Sequence, residues 1–205
     1  MSFMNKTLDY YNQQASLYNE TTFSIEFEQK RAFLLKYLPV GAHLLDLGCG
    51  SGRDSRAFLE QGYQVTAIDG SEELCKLASK NIGQPVRCQR FEELTDQSLY
   101  DGVWACASLL HLATPVLKEA IYNVERALKP GGYFYASFKY GTYEGERDGR
   151  YFNDFTEEKW KDLLRYFPTL TLQELEVTTD VIPGREDVRW LNLIMRKASE
   201  SEETK

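Results

Sequence analysis

The sequence predicts an α/β fold, an open and mostly parallel sheet with helices on both faces, and three observations carry that prediction. Short apolar runs at residues 43–47, 63–68, 86–91, 102–107 and 133–138 each precede a helix-like or turn-rich segment. Strands buried on both faces and their crossover helices alternate in this way. The first run empties into three alternating glycines, Gly48, Gly50 and Gly52, and then into the charged, helix-compatible stretch beginning at Arg53. After residue 140 the rhythm changes, and two further strand-like runs, 170–178 and 190–196, flank a Pro183-Gly184 turn.

Ahead of the sheet, residues 8–37 are polar and aromatic, and Phe27, Phe33, Leu34, Tyr37 and Leu38 fall at helical spacing before Pro39-Val40-Gly41 stops the pattern. Two helices are expected there. Strand 43–47, the glycine turn and a helix opening near Arg53 follow, then strand 63–68, whose end Asp69-Gly70-Ser71 starts a helix over 71–80. Residues 141–150 read as a Gly-rich charged loop. A helix over 156–166 has Thr156 at its N-cap and Glu157 and Glu158 in its first turn, where carboxylates suit the helix dipole. Its capping box is incomplete, because Lys159 stands where Glu or Gln would reach back. One domain over 1–198 is expected, with a charged, disordered tail at 199–205.

Composition narrows the function classes. With 205 residues, 42% hydrophobic and 13% aromatic, the chain suits one domain with a full core. Net charge is −7 and the basic residues are scattered, which disfavours a nucleic-acid partner. Cys49, Cys75, Cys88 and Cys106 lie far apart with no Cys-x-x-Cys spacing, so neither a metal site nor a disulfide is expected, and buried thiols in a reducing compartment are. No signal segment and no apolar run long enough for a membrane is present, and a cytoplasmic protein without a membrane partner is expected.

The glycine spacing points to the ligand. A dinucleotide fingerprint, Gly-x-Gly-x-x-Gly or Ala, would place a small residue at position 53, where Arg53 stands. Here the pattern is Asp46-x-Gly48-x-Gly50-x-Gly52. In this segment, and through ordered motifs over about residues 40–140, the chain resembles the class I S-adenosylmethionine-dependent methyltransferases of the small-molecule branch. The resemblance implies a Rossmann-like, seven-stranded sheet closed by a C-terminal antiparallel hairpin, and S-adenosyl-L-methionine as cofactor. It further implies that Asp46, Gly48, Cys49, Gly50 and Gly52 lie beneath the amino-acid half of that molecule. Asp69, with Gly70 and Ser71, would meet the ribose hydroxyls. Phe91 and Glu92 would run along the adenine, although Arg90 stands where many relatives place an acid. Ala105 and Cys106 would present backbone to the aminoacyl end, and residues 1–38 would form a helical lid with Tyr11 and Tyr18 capping the cleft.

Several of these residues carry a second reading. Asp69 lies 17 residues past Gly52, close to the spacing at which an acid meets a ribose diol, yet Asp-Gly also simply starts turns. His111 is either a proton acceptor or a structural histidine, and His43 is structural. Lys139, Tyr140, Arg150 and Tyr151 form either a substrate wall for an anionic or flat molecule or a solvated loop. The early tyrosines either cap the cleft or pack on the sheet, and Trp104 and Trp190 read as core.

The function expected is in-line methyl transfer to a small-molecule acceptor by a monomer or homodimer. No Asn/Asp-Pro-Pro-Tyr turn follows the fourth strand and no Pro-Cys nucleophile is present, which sets base-directed enzymes aside. Methylation of transfer RNA, a NAD-dependent oxidoreductase disfavoured by Arg53, and a non-catalytic cofactor-binding protein are the alternatives.

Overall fold

The structure, a computed structural model, describes residues 3–182, 184–199 and 202, without the side chains of Phe3 and Met4. Pro183 of the expected turn and most of the expected tail at 199–205 lie outside the described residues, as do Met1 and Ser2 of the expected lid. Two helices, α1 (Phe3–Thr22) and α2 (Glu28–Leu35), precede β1 (His43–Leu47), α3 (Arg53–Glu60), β2 (Gln64–Asp69), α4 (Glu72–Ile82) and the short β3 (Arg87–Cys88). Then come β4 (Tyr100–Ala105), α5 (Thr114–Ala127), β5 (Leu128–Lys139), β6 (Glu144–Arg147), β7 (Arg150–Asn153), α6 (Glu157–Leu164), β8 (Leu170–Thr179) and β9 (Arg189–Lys197).

Seven strands form one sheet in the order β3-β2-β1-β4-β5-β9-β8. Strands β3 to β5 pair in parallel, and β9 runs antiparallel to both β5 and β8, which closes the sheet with the expected hairpin. From β1 the chain winds outward to β3 and then returns to β4 on the other side of β1. The gap between the carboxyl ends of β1 and β4 is thus a topological switch point, where ligands of open α/β sheets collect.

Burial on both faces follows the strand alternation. On β4, Val103 and Ala105 enter the core shared with Ile121 and Val124 of α5 and Trp160 of α6. Trp104 between them enters the opposite core, with Leu34 of α2, Phe58 of α3 and Ala78 of α4. The Trp104 ring stacks on Tyr135 at 4.0 Å between centroids, and its indole N–H donates to Asp54 at 3.0 Å. Asp54 also accepts from Arg31 at 2.9 Å and from Arg53 at 2.7 Å, which pins the start of α3 and the middle of α2 to the sheet.

Three expectations are corrected. The strand expected over 86–91 is only Arg87–Cys88, and Phe91–Glu93 is a 3-10 turn closed when Glu93 accepts the Arg90 N–H at 2.9 Å. The charged loop expected over 141–150 contains β6 and leads into β7, which form a separate two-stranded hairpin. Its Asp148-Gly149 turn has φ of 49° and 75°, the doubly left-handed geometry that two-residue hairpins favour. Finally, Trp190 is half-buried rather than core, with its indole N–H donating to Asp180 at 3.0 Å. The helix expected over 156–166 runs Glu157–Leu164, and the Thr156 hydroxyl caps it by accepting the Lys159 N–H at 3.3 Å.

Candidate functional site: a glycine cleft opening onto a cationic chamber

At the switch point the main chain leaves β1 through Gly48, Gly50 and Gly52, all with positive φ. A side chain at Gly48 would put its Cβ 2.3 Å from the Cβ of Ser108, so only glycine lets the ends of β1 and β4 approach this closely. The N–H groups of Gly48 and Cys49 both donate to the Ile68 carbonyl, at 2.8 and 2.9 Å, and tie the turn to β2. Asp69, at the end of β2, accepts the Gly50 N–H at 2.9 Å on one carboxylate oxygen and the Ser71 N–H at 2.9 Å on the other. Burial pushes the Asp69 carboxyl up to about 6 against the lowering effect of these bonds.

Gly48, Gly50, Asp69, Gly70, Phe91, Cys106, Tyr11 and Tyr18 line one narrow cavity of about 70 Å³ beneath α1. The cavity is narrow because Tyr18 lies on Gly50 and Leu8 lies on Gly70; their side-chain carbons stand 3.0 and 2.8 Å from where a Cβ would be. Thr7, Leu8, Arg90, Ala107 and Ser108 complete the lining. Ala107 has φ of 50° and donates its N–H to Ser137 at 2.8 Å, a strained alanine at the mouth of the cleft that no sequence signal announces.

Other expected cofactor residues sit behind this surface. Asp46 is buried, accepts the Ser55 hydroxyl at 2.6 Å and is pushed up to about 7, first by burial and then by Asp54. The side chain of Cys49 joins the core below the turn. Gly52 caps α3 and faces α4, where a Cβ would lie 2.8 Å from Ile82. The Ser71 hydroxyl caps α4, accepting from Leu74 and donating to Asn12 of α1 at 2.7 Å. Ala105 is buried in β4. Glu92, in the 3-10 turn after Arg90, is not among the residues that line the cavity; its Oε2 is buried without a hydrogen-bond partner.

His111 follows β4 in a 3-10 turn and stands between two cavities. Its Nδ1 lies 2.7 Å from the Tyr151 carbonyl, which can only accept, so Nδ1 carries the proton. Nε2 is therefore the acceptor of the Tyr11 hydroxyl at 2.8 Å. Desolvation lowers the imidazole to about 4 and keeps it neutral at physiological pH. Burial likewise raises the Tyr11 and Tyr18 hydroxyls.

Beyond His111 lies a chamber of about 560 Å³ that shares Tyr11, Tyr18, Cys106, Ala107 and His111 with the narrow cavity. Strand alternation sends Tyr135, Ser137 and Lys139 of β5 into it, and Arg150 and Phe152 of β7. The same alternation turns Tyr151 outward, where its hydroxyl donates to Glu144 at 3.0 Å. Tyr140 also points away, donating to Glu157 at 2.7 Å. Of the four expected substrate residues, the structure thus brings Lys139 and Arg150 into the chamber. Sequence reasoning missed Arg53, Gln14 and Trp190 on its walls. The hairpin signal Asp148-Gly149 would have predicted which residues of 150–153 face inward.

The "Methyltransferase domain" family model matches residues 45–136, which span β1 through most of β5. The chain is 32% identical over 130 residues to a putative methyltransferase, YqeM, of Bacillus subtilis, covering 60% of this chain and 52% of that protein. It is 35% identical over 103 residues to a ubiquinone biosynthesis O-methyltransferase of Coxiella burnetii, covering 47% and 43%. The chain thus spans about half the length of the curated relatives it matches. Among solved structures it is similar to the 1,6-didemethyltoxoflavin-N1-methyltransferase of Burkholderia thailandensis with bound S-adenosylhomocysteine. That match has a TM-score of 0.70 and 25% identity, and it covers 93% of this chain and 84% of that one.

Proposed function

We propose that the chain is a class I S-adenosylmethionine-dependent methyltransferase and that it transfers a methyl group to a small-molecule acceptor held in the chamber. The observation that carries this reading is the shared wall: a glycine-lined cleft with Asp69 at its edge opens, past Tyr11 and His111, onto a separate chamber of about 560 Å³. That volume is of the size that takes a small organic molecule.

The residues of the cleft fit the cofactor. The glycine turn leaves main chain bare, Asp69 offers a carboxylate to a vicinal diol, and Phe91 offers an apolar face. When bound, S-adenosylmethionine supplies a methyl carbon whose bond to sulfur breaks as the acceptor lone pair attacks, the sulfur leaving as a neutral thioether. The chain's own task is then alignment and exclusion of water. Helix α1 does the second. Among its described side chains only Thr7 and Ala15 are fully buried. Polar bonds hold it down instead: Tyr11 to His111, Asn12 to Ser71 and Asn19 to Asn81. Each such bond contributes roughly 1 kcal/mol net, so the helix opens at far lower cost than the sheet core. Entry of an adenosyl ligand requires it to, since Tyr18 covers Gly50.

We assign the proton to His111. An oxygen acceptor becomes an oxonium as the methyl bond forms, and that proton passes to Nε2, directly or with Tyr11 as intermediary. A neutral imidazole of low basicity suffices for so acidic a proton. Scattered charge and a chamber of about 560 Å³ favour a small acceptor over transfer RNA. A thermal-shift comparison tests the reading: S-adenosylhomocysteine at about 100 times its dissociation constant should add ~2.7 kcal/mol and raise the melting temperature by several degrees. NAD should leave it unchanged, and a shift with NAD alone refutes the proposal.

A further inference from the structure

The chamber carries a charge opposite to that of the chain. Against a net charge of −7, its lining includes Lys30, Lys139, Arg53, Arg150 and Arg185 with a single acid, Asp180. Asp180 is already engaged, accepting from the Trp190 indole at 3.0 Å and the Ile182 N–H at 2.8 Å. Lys30 is paired with Glu176 and Arg53 with Asp54. Among the described residues, Lys139, Arg150 and the exposed Arg185 have no carboxylate within ion-pair distance, and the first two lie together.

These two cations are concentrated around one ring. The Lys139 ammonium lies 4.5 Å from the centroid of Phe152 and the Arg150 guanidinium 5.1 Å from it. Arg147 stands 4.6 Å from the same ring, but it is neutralised by Asp154 at 2.6 Å. Arg150 also covers Tyr10 at 4.5 Å, and its Nε is buried with no hydrogen-bond partner. Burial and the neighbouring Arg147 and Arg150 lower the Lys139 ammonium. Aromatic faces offset part of the repulsion between these cations, and an anion would remove more of it. Tyr10, Tyr135, Phe152 and Trp190 add flat aromatic faces to the chamber walls.

We propose that the chamber takes a planar anionic small molecule of the aromatic carboxylate class, its charge held between Lys139 and Arg150 and its ring among Tyr10, Phe152 and Trp190. That this molecule is the methyl acceptor rests on the methyl-transfer reading; that it binds does not. The charged group is the handle, and the reacting end extends toward Tyr11 and His111.

Titration calorimetry on the full chain, with and without S-adenosylhomocysteine, tests this with benzoate, phenylacetate and cinnamate against their neutral amides. The acids should bind at least about tenfold more tightly than the amides, with a preference that shrinks as salt is raised. Lys139→Met and Arg150→Met should each erase about tenfold of the acid affinity and little of the amide affinity. Circular dichroism checks their folding; should Arg150→Met unfold through its contact with Tyr10, Lys139→Met decides alone. No binding of any acid, equal binding of acids and amides, or an acid preference retained in the folded variants overturns the proposal. The two readings separate cleanly: acids binding a chain that ignores S-adenosylhomocysteine would leave the anion site standing and remove methyl transfer, and the converse result would do the reverse.

Discussion

The Tyr11 hydroxyl donates to Nε2 of His111 at 2.8 Å, and this bond joins helix α1, the proposed lid, to the turn after β4 where the two cavities meet. The other ring nitrogen is spent on the Tyr151 carbonyl of the β6–β7 hairpin, so one imidazole holds lid, sheet end and hairpin together. Replacing Tyr11 by Phe leaves the Nε2 lone pair buried without a donor, a loss of about 1–3 kcal/mol. Hydrogen exchange should show α1 opening roughly ten- to hundredfold more often in Tyr11→Phe, with the strands unaffected. Equal protection of α1 in both proteins would rule out the latch.

Acid should open the same lid. The closed state lowers His111 from its ordinary 6.5 to about 4, so below pH 6.5 the open state takes up a proton that the closed state refuses. Closure therefore weakens as pH falls from 6.5 and has lost about 3 kcal/mol near pH 4. Asp69 and Asp46, raised by burial to about 6 and about 7, act with the opposite sign. Their contribution is fullest below their ordinary 3.8 and is lost as pH rises through the raised values. The difference in α1 exchange between the parent and His111→Asn, corrected for intrinsic rates, isolates the histidine, and the loss of protection in acid should be smaller in His111→Asn.

Asp69→Asn keeps the shape of the side chain and removes the charge that would accept a diol. Hydrogen bonds to a charged group contribute about 1.5–3 kcal/mol, so S-adenosylhomocysteine affinity should fall roughly ten- to hundredfold by calorimetry. An affinity within twofold of the parent would take Asp69 out of the cofactor site.

Asp54 tests the scaffold rather than the site. Its carboxylate, 6% exposed, answers Arg31, Arg53 and the Trp104 indole at once. Although burial opposes it, the pairing with Arg53 and Arg31 lowers its pKa. Asp54→Ala strands two guanidinium groups in a nearly dry site, which costs about 3–5 kcal/mol. A drop in melting temperature of roughly 6–20 °C should follow in calorimetry. A change under about 2 °C would mean that solvent already reaches these groups.

Legibility in the sequence followed how local the governing chemistry is. Gly48, Gly50 and Gly52 announce a turn whose geometry only glycine supplies, and Asp69-Gly70-Ser71 announces a helix start, so β1, β2 and the cleft at their carboxyl ends are legible in the sequence alone. Strand β3 is not, because the apolar pattern of Val86, Cys88 and Phe91 does not reveal that Glu93 takes the Arg90 N–H and turns the chain away. The inward facing of Arg150 against the outward facing of Tyr151 depends on a hairpin whose strands are only four residues long. Asp46 illustrates the reverse limit: the motif marks it, and its carboxyl nonetheless serves Ser55 beneath the turn.

The most direct measurement is a crystal structure of the chain with saturating S-adenosylhomocysteine. The ribose hydroxyls should lie within hydrogen-bond distance of Asp69, the aminoacyl tail should follow Gly48 to Gly50, and Tyr18 should have moved off Gly50 to admit it. A ligand bound elsewhere, or crystals grown at saturation that contain none, would contradict the assignment of this cleft.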